Sequence, residues 1–190
     1  MGDMADLSGS SQSRFFIALI PPIAVQDYAN VLIQELSARY STRTANAPPH
    51  VTLQAPFLWQ LTAAAELESC LQAFAKTVAP VPVKLVGFGA FAPRVLYINV
   101  LKTPELLMLQ SKLLMHLEQQ LQIIDPVAKS RPFTPHLTLA SRKLTRQTFR
   151  QAWEELQLRS VEFEFVGDRL TLLLHNGQQW QVQSEATLRG

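Results

Sequence analysis

A pentapeptide that occurs twice constrains this chain more than any other feature. Residues 49–53 read Pro-His-Val-Thr-Leu and residues 135–139 read Pro-His-Leu-Thr-Leu. The chain holds only four histidines, and two of them, His50 and His136, stand 86 positions apart inside these near-copies. What surrounds them repeats as well. An aromatic, β-branched run at 14–20 reads as a buried strand. Helical spacing follows over 23–40, where Val25, Tyr28, Leu32, Leu36 and Tyr40 fall on one side. A polar linker at 41–49 delivers the first histidine strand, 50–59. A helix follows, capped by Thr62 and running to about Val78, and then a strand at 81–91. The same order recurs. A strand at 94–101 precedes a long helix opened by Thr103–Pro104, with Leu106, Leu109, Leu113, Leu117 and Leu121 along one face. A loop spanning 125–133 leads to the second histidine strand, then a helix capped by Thr145 and a strand at 161–167. Strands at 169–175 and 178–183 close the chain, joined at Asn176–Gly177, where both positions are expected to accept φ > 0. A duplicated α+β unit with a period of about 80–86 residues accounts for the repeated pentapeptide.

The expected architecture is therefore a single α+β domain over 14–190, behind a disordered leader at 1–13. It is bilobed and pseudo-symmetric, with halves at about 14–92 and 93–190. Two mainly antiparallel sheets carry helices on the outside and frame a central cleft. With 190 residues, 47% of them hydrophobic, the chain can bury a substantial core. Charged residues reach only 17% and the net charge is +2, so no long phosphate-tracking surface or disordered basic tail is expected. The single cysteine, Cys70, cannot form an internal disulfide and sits in a helical pattern as a small buried apolar residue. The first residues lack the apolar core of a signal peptide, and no apolar run approaches the roughly 18 residues that span a bilayer. A cytoplasmic location is the expectation.

On a strand, residues i and i+2 share a face, about 6.6 Å apart. His50 and Thr52 therefore point one way, and Val51 and Leu53 the other. His136 and Thr138 repeat this, with Leu137 and Leu139 opposite. The apolar alternates bury into the lobe, and the polar pairs face a cleft. Two opposed imidazoles suit in-line transfer at phosphorus. One, neutral, removes a proton from the attacking oxygen; the other, protonated, gives one to the leaving oxygen. An unperturbed pKa near 6.5 makes both forms available at neutral pH. Threonine hydroxyls can donate to the non-bridging phosphate oxygens. The scheme calls for no metal and no cofactor. Two distant histidines with no Cys, Asp or Glu cluster also fall short of a zinc ligand set.

The segments "HVTL" and "HLTL" resemble the paired His-x-Thr motifs of the two-histidine (2H) phosphoesterase superfamily. The bacterial 2′-5′ RNA ligase-like, or RNA 2′,3′-cyclic phosphodiesterase, branch looks most similar. The opening "RFFIALIPP" and the segment "RPFTPHLTLASR" carry the likeness further, and it covers about 14–183. The resemblance implies a bilobed α+β fold with the site in the cleft. It implies hydrolysis of 2′,3′-cyclic phosphates to 2′-phosphates and, in some members, 2′-5′ joining of RNA ends, which is the reverse chemistry with an RNA hydroxyl in place of water. It implies His50 and His136 as the catalytic pair, in unassigned acid and base roles, with Thr52 and Thr138 holding the phosphate. The implied partners are RNA ends or small nucleotides, with neither DNA nor membrane, for a chain acting as a monomer. A non-catalytic RNA- or nucleotide-binding module on the same fold is the competing reading.

The chain departs from the family pattern at one position. Where an arginine often stands three residues after the second threonine, this sequence has Ser141, followed by Arg142. A one-residue shift on a strand turns a side chain to the other face, unless a bulge intervenes. Arg131, just before the second motif, and Arg43, in the 41–49 loop, are the other candidate phosphate-contacting cations. Phe133, in the loop entering the second motif, is the aromatic expected to meet substrate. Phe57, Phe88, Phe91 and Tyr97 are expected in the core. His116 and His175 lack a paired motif and are read as structural.

Overall fold

The computed structural model describes residues 12–190; residues 1–11 lie outside the described residues. Eight strands and five α-helices follow in the order β1 (Gln12–Leu19), α1 (Ile23–Tyr40), β2 (Val51–Gln60), α2 (Ala64–Ala75), β3 (Val81–Phe91), β4 (Val95–Val100), α3 (Pro104–Leu121), α4 (Pro126–Ser130), β5 (His136–Ala140), α5 (Arg146–Leu156), β6 (Glu162–Gly167), β7 (Arg169–His175) and β8 (Trp180–Thr187). Gln12 and Ser13, expected in the leader, already belong to β1.

The strands form one curled antiparallel sheet in the order β6-β3-β4-β5-β2-β1-β7-β8. The expectation of two sheets is corrected here. The two histidine strands, β2 and β5, are each other's neighbours, and a single registered pair, Val51 opposite Leu137, joins the four-stranded halves. The boundary expected between residues 92 and 93 does not divide the sheet. It falls within the β3–β4 hairpin, and β3 pairs with β4 and β6 rather than with the strands of its own repeat. The chain's last two strands return to the first half, where β7 pairs with β1.

The order strand, helix, strand, helix, strand nevertheless occurs twice, over β1–β3 and again over β4–β6 with α4 added. Helices α1 and α3 are each 18 residues long, and each ends on a left-handed residue, Ser41 or Gln122. They start 81 positions apart, at Ile23 and Pro104, whereas the histidines are 86 apart. The five-residue difference equals the length of α4, which is inserted in the loop before the second motif strand. Asp125 caps α4 by accepting from the N–H groups of Val127 and Ala128.

Thr103 caps α3 and Thr145 caps α5, the latter with Thr148 in a reciprocal capping box. Thr62 does not cap α2. It lies in a short 3-10 turn, Leu61–Ala63, and the helix begins after it. The Asn176–Gly177 turn is longer than a two-residue hairpin. Only Gly177 has positive φ, and the Asn176 side chain accepts from the N–H groups of Gln178 and Gln179.

Alternate residues of the strands, including Phe15, Ile17, Leu19, Val51, Leu53, Leu85, Ile98, Leu137 and Leu172, join the apolar stripes of α1, α2, α3 and α5 in one core. Among the described residues, the other face of the sheet carries a small cluster of Phe16, Ala18, Leu173 and Trp180. The polar alternates of β2 and β5 open on that second face. Among the described residues, no helix is long and apolar enough to cross a membrane.

Leu137 is fully buried at the seam. Leu137→Ala should cost about 2–5 kcal/mol by urea unfolding, while Leu158→Ala, at an 85% exposed position, should stay within about 0.5 kcal/mol.

Candidate active site

The seam fixes the geometry of the site. Continuing the Val51–Leu137 register by one residue in each direction sets His50 across from Thr138 and Thr52 across from His136. The two motifs are thus related by a local dyad through the seam. All four side chains share one face of the seam, and the two histidines are near enough for the charge of His136 to act on His50. Val51 and Leu137 are fully buried on the helix side, while His50, Thr52, His136 and Thr138 are half-buried on the other.

The rings are held in matching ways. His50 Nδ1 lies 2.7 Å from the Pro48 carbonyl oxygen, and His136 Nδ1 lies 2.8 Å from that of Thr134. In each case a carbonyl two residues upstream accepts from Nδ1–H. The tautomer follows: the Nδ1 proton is committed, and the Nε2 lone pair is free to act on a ligand. Both strands are irregular here, with ladder shifts between Ile17 and Ala18 beside β2 and between Leu96 and Tyr97 beside β5. Such bulges re-aim side chains.

Aromatic rings wall in each histidine. Phe16 sits 4.8 Å from the His50 ring and meets Trp180 edge-on at 4.6 Å. Tyr97 and Phe91 sit 5.1 Å and 5.0 Å from the His136 ring. Phe91 and Tyr97 were expected in the core; Tyr97 is buried, but it and the exposed Phe91 pack on His136. Sequence reasoning missed Phe16 and Trp180. The signal for Phe16 was its position two residues before Ala18, whose backbone pairs with Thr52. Trp180 opens β8, far along the chain from His50, and nothing local marked it.

A cavity of about 200 Å³ opens against His50, Thr52, Thr138, Ser141, Phe16 and Trp180. The 41–49 loop forms its wall. That loop is tied to the end of β5 by the Arg43–Arg142 backbone bridge and to β8 by the bond from Trp180 N–H to the Asn46 carbonyl. His136 lies beyond the lining of this cavity, against its own aromatic pair. Ser141, the residue standing where the family often has arginine, lines the cavity, while Arg142 and Arg43 are exposed. The structure does not bring Arg131 and Phe133 to the cavity. They line a separate hollow against α3 with Gln110, Met115 and Glu118, because α4 and the chain after it pack toward that helix. His116 is structural, its Nε2 3.3 Å from the Cys70 carbonyl oxygen.

Burial pushes the protonation of both imidazoles below the usual histidine range. The carbonyl bonds oppose this, and for His50 the charge of His136 adds to it. Among the described residues, no group of three or more His, Cys, Asp and Glu side chains is clustered as a metal site.

A helix–strand fold whose curled sheet sets two His-x-Thr strands side by side defines a phosphoesterase-type site, and the comparisons agree with it. The chain belongs to the 2′-5′ RNA ligase superfamily, whose family model matches residues 21–179. A Bacillus pumilus protein provisionally named as a phosphoesterase is 32% identical over 175 residues, covering 89% of this chain and 94% of that protein. A similarly named protein from Geobacillus thermodenitrificans is 30% identical, covering 93% and 97%. Among solved structures, TT0787 of Thermus thermophilus matches with a TM-score of 0.60 at 21% identity, covering 93% of this chain and 98% of that one. E. coli LigT complexed with 3′-AMP matches with a TM-score of 0.59 at 18% identity, covering 95% and 100%.

The ring geometry generates two predictions. In the ligand-free protein, histidine NMR should show His50 and His136 as Nδ1–H tautomers that titrate below about pH 6.5; a midpoint at or above that value would remove the burial argument. The sign for stability is fixed as well. Folded-state values below the unfolded ones mean that the unfolded chain takes up more protons on acidification. This stabilising contribution is complete above about pH 6.5 and is lost as pH falls toward the lowered values. The second prediction concerns Gly89, where an added Cβ would overlap the Tyr97 ring. Gly89→Ala should move that ring and shift the His136 titration while leaving His50 in place, in the same NMR experiment.

Proposed function

We propose that this protein is a metal-independent phosphoesterase that hydrolyses 2′,3′-cyclic phosphates of RNA ends or nucleotides to 2′-phosphates. The observation that carries this reading is the dyad arrangement of His50/Thr52 and His136/Thr138 across one strand pair. It is supported by the family and by E. coli LigT having been solved with 3′-AMP, ATP, NADP+ and phosphate.

The reaction is a displacement at phosphorus. Water attacks opposite the 3′-oxygen; the new O–P bond forms as the P–O3′ bond breaks. One imidazole takes the water proton through Nε2, and the other, as imidazolium, gives a proton to the departing 3′-oxygen. The net change is addition of one water, leaving a 2′-phosphate and a 3′-hydroxyl. The two imidazoles have exchanged protonation states and reset through solvent. Thr52 and Thr138 donate to the non-bridging oxygens, each from the strand opposite the histidine it serves. The Pro48 and Thr134 carbonyls keep each Nε2 aimed at the phosphate and stabilise the imidazolium when it forms. The aromatic walls exclude water, which strengthens these interactions. With the two roles related by a dyad, the ring nearer the leaving oxygen in the bound substrate acts as the acid.

The test is hydrolysis of a nucleoside 2′,3′-cyclic phosphate in EDTA. Turnover should survive chelation. His50→Ala and His136→Ala should each lower kcat by about 10²–10⁴-fold with the fold intact. Thr52→Ala or Thr138→Ala should cost about 2–4 kcal/mol of transition-state stabilisation. The profile of kcat/KM against pH should be a bell, with both limbs governed by the lowered histidine values. It falls at low pH as the base protonates and declines through neutrality as the acid loses its proton. Near-wild-type rates in either histidine variant would refute the acid–base assignment; substrate binding without turnover would favour a binding module.

A further inference from the structure

Beside the His50 end of the cavity lies a group of cations that the proposed reaction does not use. Arg14 on β1 places Nη2 3.2 Å from His175 Nδ1 at the end of β7, and the Gly177 N–H donates to the same nitrogen at 3.1 Å. A ring nitrogen that accepts twice carries no proton, so His175 is neutral with its hydrogen on Nε2, which can donate. The Arg14 guanidinium also lies over Trp180, 5.7 Å from the ring centroid, and His175 meets the same ring edge-on at 4.9 Å. Trp180 in turn lines the cavity with His50. Arg142, fixed by its backbone bridge to Arg43, is near enough for its charge, with that of Arg14, to oppose protonation of His175.

Arg39, Arg159 and Arg169 each have a carboxylate partner. Among the described residues, Arg14, Arg43 and Arg142 have none, as is also true of Arg94, Arg131, Arg146, Arg150 and Arg189, and no acidic residue lines the cavity. Two guanidiniums without a carboxylate partner, Arg14 and Arg142, beside a histidine held neutral form a region set up for an anion, separated from His50 by the rings of Trp180 and Phe16.

Building on the proposed reaction, we infer that Arg14, Arg142 and His175 form a second anion subsite, which binds a further phosphate of the same substrate. The preferred substrates therefore carry a phosphate beyond the reacting one, either the internucleotide diester of an RNA end or the terminal phosphate of a small nucleotide. Both present non-bridging oxygens to the same donors.

Three substrates test this: a nucleoside 2′,3′-cyclic phosphate, its 5′-phosphorylated form, and a dinucleotide ending in the cyclic phosphate. In the wild type, kcat/KM for at least one phosphate-bearing substrate should exceed that of the bare nucleoside by about tenfold, the worth of a charge-assisted hydrogen bond. The substrate that gains identifies the source of the phosphate. Arg14→Gln, and independently Arg142→Gln, should bring that ratio close to one. No advantage in the wild type, or a ratio that survives both substitutions, overturns the subsite. Calorimetric binding separates this inference from the reaction. A nucleoside 3′,5′-bisphosphate should bind more tightly than the 3′-monophosphate, and Arg14→Gln should abolish the difference. If that preference appears without turnover of any substrate, the phosphoesterase reading fails and the subsite stands. Turnover without any preference has the opposite meaning.

Discussion

One backbone pairing organises this molecule. Among the described residues, Val51 opposite Leu137 is the one registered pair between β2 and β5, where the two halves of the sheet meet, and it lies at the centre of both motifs. Because side chains alternate along a strand, burying these two residues on the helix side places all four motif side chains on the opposite face. Because the pairing is antiparallel, it crosses them, so that each histidine position stands across from the threonine position of the other motif. A slip of one residue would bury the imidazoles and expose the leucines. The hydrophobic effect that secures the core therefore also secures the register of the site.

The surroundings of the histidines combine opposing effects. Desolvation by Phe16, Tyr97 and neighbouring groups disfavours the charged ring, whereas the carbonyls of Pro48 and Thr134 favour it. Burial is the larger effect, so both rings rest neutral near pH 7 in the absence of ligand. An anionic phosphate between them would shift the balance toward the imidazolium that one ring must become. Small residues make room for aromatic rings against polar ones: Gly89 leaves space for Tyr97, and Ala18 lies opposite Thr52.

On the helix side, arginines and glutamates pair in networks such as Glu35, Arg39, Glu155 and Arg159. Beside the site, Arg14, Arg43 and Arg142 have no acidic partner among the described residues. Local cations of this kind serve short anionic ligands better than a long polyanion, which needs many contacts spread along a surface.

Much of this was legible in the sequence. The duplication, the sharing of a face by His50 and Thr52, and the caps at Thr103 and Thr145 are local consequences of strand and helix periodicity. Pairing is not local. The sequence could not show that the two motif strands lie edge to edge in one sheet, or that β3 leaves its own repeat for the other half. Nor could it show that α4 carries Arg131 and Phe133 away from the cavity, or that Trp180 and His175 return from the last hairpin to meet β1. Residue order determines which side chains can share a face, because alternation along a strand is a property of the chain itself. Which faces meet depends on burying apolar surface across elements as distant as those of Arg14 and His175, 161 positions apart, and only the folded structure decides that.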